Sequence, residues 1–175
     1  GYDSSVCLIR NDGKIIKAIS EERLTRIKND KRFPFNSIRF CLKDINRKDI
    51  KAICYSNYEI DNIETFKNRY LEEDYFKRIK EKQDFNKFLK EIFSQQFSLN
   101  VPIFRSEHHY SHAIGALACS GFKNNITIIT ADGFGDGFSS TISKLKNNRI
   151  IRDDRFSHSN KNSLGMIYQY TTGAL

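Results

Sequence analysis

The chain has 175 residues, 39% hydrophobic and 13% aromatic, with 14 phenylalanines and no tryptophan, enough apolar material for one domain with a core, which excludes a disordered chain. Lysine and arginine number 29 against 21 acidic residues, a formal net charge of +8, which favours phosphate-bearing ligands but says nothing about fold. Many of the lysines stand beside asparagine and isoleucine, a compositional bias that accounts for the charge without nucleic acid, and no apolar run is long enough to span a membrane.

Ser5-Val6-Cys7-Leu8-Ile9 reads as a strand, Asn11-Asp12-Gly13 as a hairpin turn, and residues 15–21 as the returning strand. The charged stretch from Lys28 to Phe33 ends at Pro34 and predicts a loop. Ile38, Phe40, Cys41 and Leu42 then predict a helix leading into a strand over 50–55. From about 60 to 98 the pattern changes. Phe85, Phe88, Leu89, Ile92, Phe93 and Phe97 recur at three-and-four spacing among charges, as in an amphipathic helix that covers a core.

Val101-Pro102-Ile103-Phe104 predicts a short strand, and Ser106 is placed to cap a helix that includes the histidines and runs to Gly121. Strands over 126–131, 139–145 and 150–156 follow, with a glycine-rich turn after the first and Asn147-Asn148 after the second. Ser163 opens a last helix. Strand pairs, crossover helices and a glycine turn after a buried strand predict an α/β architecture.

The four cysteines, Cys7, Cys41, Cys54 and Cys119, show neither metal-ligand nor redox-motif spacing, and predict free, mostly buried thiols in a reducing compartment. No signal peptide is legible, which makes the cytoplasm the default location. The chain opens at Gly1 just before a strand and stops at Leu175 within a helix-like pattern, so it is expected to be an excised piece.

Three of the four histidines fall within five positions, in Glu107-His108-His109-Tyr110-Ser111-His112-Ala113, and Asp132 follows twenty residues after the last of them. Spacings of three and four let all three histidines lean toward one helical face, and leave open which two would pair. Histidines one helical turn apart plus a carboxylate delivered by a strand make an open divalent-metal site, suited to catalysis. Polar surface histidines near a helix start are the plainer alternative.

In Asp132-Gly133-Phe134-Gly135-Asp136-Gly137 the glycines alternate, and glycine permits the close backbone approach that phosphate cradling requires. Gly133, Gly135, Asp136 and Gly137 are therefore the nucleotide or phosphate candidates, with a hairpin needing unusual dihedrals as the competing account. At the N-terminus, Asp3-Ser4-Ser5 is compatible with a second phosphate contact, and Arg23, Arg26 and Lys28 form a basic run able to attract an anionic substrate. Asp3 and Lys28 are the candidates for a catalytic group.

Taken together these segments resemble the N-terminal domain of the O-carbamoyltransferase family of nodulation-factor, cephem and tobramycin carbamoyltransferases. Gly1-Tyr2-Asp3-Ser4-Ser5 is similar to the family's Gly-His-Asp-Ala-Ser, and Glu21-Glu22-Arg23-Leu24-Thr25-Arg26-Ile27-Lys28 to its Glu-Glu-Arg-Phe-Thr-Arg-x-Lys. Phe33-Pro34, Cys41-Leu42, His108-His109-Tyr110-Ser111-His112-Ala113, Asp132-Gly133-x-Gly135 and Ser163-Leu164-Gly165-x-x-Tyr168 follow in family order. Tyr2 departs from the pattern, which puts in doubt any acid–base role of the histidine usual there.

The resemblance implies an actin/hexokinase-like ATPase fold, of which residues 1–175 would be the first lobe, with a helical insertion over about 60–98. It implies a divalent metal, iron foremost with zinc or manganese as alternatives, on His108, His112 and Asp132, with His109 as neighbour. It also implies ATP and carbamoyl phosphate as substrates. A C-terminal activating domain, absent from this chain, would form carbamoyl-adenylate, and the carbamoyl group would pass to a hydroxyl-bearing small molecule or sugar. The isolated piece is expected to be inactive alone. A sugar-kinase-like lobe of the same fold and a non-catalytic metal-binding module are the competing functions.

Overall fold

The structure is a computed structural model and describes residues 4–56, 85–158 and 162–174. It is a mixed α/β chain that divides into two compact units, residues 1–53 with 60–103, and residues 54–59 with 104–175. Asp3 and residues 57–84, which include most of the insertion expected over about 60–98, lie outside the described residues.

In the first unit, β1 (Ser5–Ile9) and β2 (Ile15–Ser20) form an antiparallel hairpin with Val6 opposite Ile19 and Leu8 opposite Lys17. Gly13 takes φ 86° in the connecting turn, a value glycine adopts without steric cost. The second strand ends one residue earlier than its sequence pattern suggests, because Glu21 begins α1 (Glu21–Thr25). Glu21 is buried at 2% exposure, and its carboxylate accepts from the backbone N–H and side-chain amide of Asn36 and from the N–H and hydroxyl of Ser37. It thereby satisfies amides that the start of α2 (Phe35–Leu42) would otherwise leave unpaired.

Helix α2 packs on both strands of the hairpin. At its far end Lys17 Nζ donates to the Lys43 carbonyl at 2.7 Å. Arg47 donates to the carbonyls of Leu42, Ile45 and Phe97. One guanidinium thus meets carbonyls at the C-termini of two helices, where the backbone carries partial negative charge. The helical periodicity of 85–97 is realised as α3 (Phe85–Phe97), and Phe88, Leu89, Ile92, Phe93 and Phe97 are buried with Phe33, Ile38, Cys41, Leu42 and Leu99. Phe33 meets Phe93 edge-on at 5.9 Å between centroids, and Phe35 stacks on Phe97 at 6.0 Å, geometries favoured by the ring quadrupole.

Strands β3 (Ile53–Ser56) and β4 (Ile103–Ser106), which fall in the second unit apart from Ile53 and Ile103, pair with each other; β3 is shorter than its apolar pattern over 50–55, and β4 is shifted two residues along the chain from the expected 101–104. Strands β5 (Thr127–Gly135), β6 (Phe138–Lys146) and β7 (Arg149–Arg152) form an antiparallel sheet in sequence order. Asn147 and Asn148, at φ 50° and 58°, make the second hairpin turn. Between β4 and β5 runs α4 (His108–Ser120), closed by Gly121 at φ 72°, and it packs on β5 and β6 through buried His109 and Ala113. Helix α5 (Leu164–Ala174) packs on β5.

Three further local expectations change. The strand expected over 150–156 ends at Arg152, and Asp154–Phe156 forms a 3-10 turn whose start the Asp153 side chain caps by accepting from the Arg155 N–H. Glu107 rather than Ser106 caps α4, accepting from the His109 and Tyr110 amides, because the longer acid reaches both N–H groups. Only Cys41 is a buried thiol. Cys7, Cys54 and Cys119 are exposed, since in β1 and β3 they fall on the exposed side of the strand alternation. Burial pushes the Cys41 thiol above its ordinary pKa. Among the described residues no helix is long and apolar enough to cross a membrane.

Candidate metal centre

The glycine-rich segment is not a plain turn after a strand. Strand β5 continues through it with a bulge: the pairs Ala131–Ser140 and Gly135–Phe138 leave Asp132, Gly133 and Phe134 opposite Ser139 alone. Such excess residues leave the ladder and re-aim a side chain. The turn itself is Asp136-Gly137, at φ 48° and 87°, the two-residue type I′ geometry whose twist matches a hairpin.

The bulge delivers Asp132 to α4. His108 Nε2 lies 2.6 Å from Asp132 Oδ2, His112 Nε2 3.4 Å from the same oxygen, and the two Nε2 atoms are 3.1 Å apart. Two imidazole nitrogens and one carboxylate oxygen thus converge, and their ligand atoms all lie within 4.8 Å of one another. Ligands about 2.1 Å from one metal are about 3.0–3.4 Å from each other in octahedral or tetrahedral geometry, so the set fits a single ion with slight widening of the shortest pair. His108 and Asp132 are each about one-third exposed and His112 about half, so an ion held there would keep its other coordination positions open to a ligand. Burial pushes the Asp132 carboxyl up, but hydrogen bonds from His108 and the Gly133 N–H and the His108 charge outweigh it and hold it below the usual carboxylate range.

His109 is turned the other way. It is completely buried, with Nε2 3.0 Å from the Phe138 carbonyl and Nδ1 2.8 Å from Thr130 Oγ1, which is itself 2.7 Å from Thr141 Oγ1. A carbonyl only accepts, so in the neutral ring Nε2 carries the proton and Nδ1 accepts from Thr130, which in turn accepts from Thr141. Both ring nitrogens are committed to the sheet. One step of about 100° around the helix separates this anchor from its neighbour His108.

The four expected phosphate residues surround the trio in different ways. Gly135 has no room for a side chain, since a Cβ there would overlap the His108 ring. Asp136 Oδ2 accepts from the His108 backbone N–H at 2.7 Å. The Gly133 N–H donates to Asp132 Oδ1 at 2.6 Å, and Gly137 occupies the exposed hairpin tip. Lys28 is exposed in the loop after α1, in the first unit.

Sequence reasoning missed the support behind Asp132. Ser163 is 2% exposed, its hydroxyl lies 2.6 Å from the Gly133 carbonyl and 3.0 Å from that of Asp132, and it accepts from the Met166 N–H. A Cβ on Gly165 would lie 2.6 Å from Gly133 N and 2.8 Å from Asp132 C. The Ser-Leu-Gly start of α5 is therefore shaped to the backbone of Asp132, and the Ser–x–Gly spacing was its only signal.

A family profile described as carbamoyltransferase N-terminus matches residues 1–175. The chain is 32% identical over 182 residues to the nodulation protein NolNO of Sinorhizobium fredii, covering 97% of this chain and 25% of that protein. It is 27% identical over 198 residues to the uncharacterized protein sll1178 of Synechocystis, covering 98% of this chain and 30% of that one, and 28% identical over 150 residues to the uncharacterized protein MJ1051 of Methanocaldococcus jannaschii, covering 86% and 24%. The chain thus spans about a quarter to a third of the curated relatives it matches. With a profile match along its whole length, it belongs to the carbamoyltransferase N-terminus family.

Proposed function

We propose that this chain is the metal-bearing part of an ATP- and carbamoyl-phosphate-dependent O-carbamoyltransferase, built as the first lobe of an actin/hexokinase-like fold, with a helical insertion over about 60–98. The observation that supports it is the meeting of His108 Nε2, His112 Nε2 and Asp132 Oδ2 at 2.6–3.4 Å in a chain of this family. Two imidazoles and one carboxylate with open positions suit iron, zinc or manganese, and the family resemblance puts iron foremost. A divalent ion there would supply charge to offset phosphate and to polarise the transferring carbonyl.

The chain's own residues prepare that site. His108 and His112 present Nε2 from successive turns of α4, Asp132 presents Oδ2 from the β5 bulge, and His109 holds the helix to the sheet. In the proposed transfer, the acceptor hydroxyl attacks the carbamoyl carbon of carbamoyl-adenylate made by a separate activating domain. The bond from that carbon to the phosphate oxygen breaks, AMP leaves, and the hydroxyl proton passes to a base. The phosphate reading keeps Gly133, Gly135, Asp136 and Gly137; Gly135 and Asp136 are engaged with His108 and the Gly133 N–H with Asp132, so a phosphate there would exchange with contacts the chain already makes.

The test is metal content and carbamoyl transfer in the protein that contains this chain, with His108→Ala, His112→Ala and Asp132→Asn as variants. Each is expected to lose bound metal and transfer from ATP and carbamoyl phosphate together. Unchanged metal stoichiometry in all three would reject the assignment.

A further inference from the structure

The first turn of α4 poses an electrostatic problem. His108 is the first residue of the helix and His112 lies one turn on, at the end where unpaired amides act as roughly half a positive charge. Such an end attracts phosphate and opposes a cation. The chain places its own acids there. Glu107 accepts from the amides of His109 and Tyr110 at 3.1 and 2.7 Å, and it also pairs with Arg152, whose guanidinium lies over the Phe138 ring. Asp136, 28 residues away in sequence, accepts from the amide of His108 at 2.7 Å. Three consecutive amides, 108 to 110, therefore face carboxylates contributed by the protein itself.

Asp136 also stands between two contacts with the same ligand residue. Its neighbour Gly135 abuts the His108 ring, while its own carboxylate fixes the His108 backbone. The hairpin tip therefore sets both where the imidazole sits and what charge surrounds it. We propose that Asp136 is a positioning residue of the metal centre, whose negative charge converts the N-terminus of α4 from an anion site into a cation site while its hydrogen bond holds His108 toward Asp132. This rests on the metal reading of His108, His112 and Asp132. It further implies that a phosphate group is excluded from the α4 amides and meets the site from the bulge side.

The experiment titrates Zn²⁺ into the metal-free protein and into Asp136→Asn and Asp136→Ser, both of which keep an acceptor but lack the charge. Amide exchange at His108 is followed in the same metal-free samples. Both variants are expected to bind Zn²⁺ about tenfold more weakly, within the range known for residues that support metal ligands, with His108 amide protection kept in at least one. Zinc affinity equal to that of the unmodified protein in both variants overturns the proposal. So does a loss that only tracks lost protection, which would make Asp136 a helix cap and nothing more. If the unmodified protein binds as weakly as His108→Ala, the metal reading itself fails and this inference with it.

Discussion

Gly135 is packed so tightly against the ring of His108 that a side chain at 135 would overlap the imidazole. The glycine is required by its neighbour, since its own φ is not positive, and the contact explains physically why a glycine follows the Asp-Gly pair at this spacing. Gly135→Ala should therefore act on the proposed ligand set through His108. Overpacking is expected to cost about 1–3 kcal/mol of stability, and displacement of His108 should weaken metal binding by at least about tenfold. Titration of the metal-free variant checks this, and Gly115→Ala, at a helix position with open space around it, is the control that should bind normally.

His109 should behave as an anchor distinct from its two neighbours. Replacing it with leucine leaves Thr130 without its acceptor and the Phe138 carbonyl without its donor, both inside the α4–sheet contact. Each stranded group costs about 1–3 kcal/mol, so His109→Leu is expected to lose about 2–4 kcal/mol in urea unfolding of the metal-free protein. His108→Leu, whose ring is about one-third exposed, should lose much less. Equal losses for the two would contradict the division of labour.

Glu21 makes a comparable case in the first unit. Four donors from Asn36 and Ser37 converge on one carboxylate that is 2% exposed. Glu21→Ala should cost about 2–4 kcal/mol, because the buried Ser37 amide and hydroxyl lose their acceptor at about 1–3 kcal/mol each. The first amides of α2 should then exchange faster than those of α3. Glu21→Gln should lose less but still fail to restore stability, because its amide group turns a donor toward donors.

The elements that were legible in the sequence are those fixed by local periodicity or turn chemistry. The β1–β2 hairpin around Asn11-Asp12-Gly13, the phenylalanine stripe of α3 and the Gly121 end of α4 all follow from neighbours in the chain. The convergence of the two outer histidines with Asp132 was legible as residue types and order. What stayed hidden depends on partners far away in sequence. Asp136 reads as a phosphate candidate or a hairpin residue until its 28-residue reach to His108 is seen, and Glu21 as the last residue of the returning strand until it meets Asn36 and Ser37, 15 and 16 residues on. The bulge at Asp132 was invisible because register depends on the partner strand, and the segment alone shows only alternating glycines.

Asp30 gives the chain an acid-sensitive support. Its side chain is 2% exposed and lies between the Arg32 guanidinium, 2.7 Å from Oδ2, and the Thr25 hydroxyl, while the Asp30 carbonyl accepts from the Ser4 N–H. The Arg32 bonds, partly opposed by burial and aided by Thr25, hold the carboxyl well below its ordinary value of 3.8. A depressed folded-state pKa means the unfolded chain takes up the proton first. The stabilisation is therefore fully present above the unfolded value near 4 and is lost progressively as pH falls below it toward the folded pKa. Because Arg32 is about one-third exposed, solvent screening trims the ion-pair part, and Asp30→Asn is expected to cost about 2 kcal/mol at pH 7. Urea unfolding from pH 7 down to pH 2 should show the gap between the unmodified protein and Asp30→Asn narrowing below about pH 4. A gap constant across that range would mean that the Asp30 charge contributes nothing and that the asparagine acts only through packing.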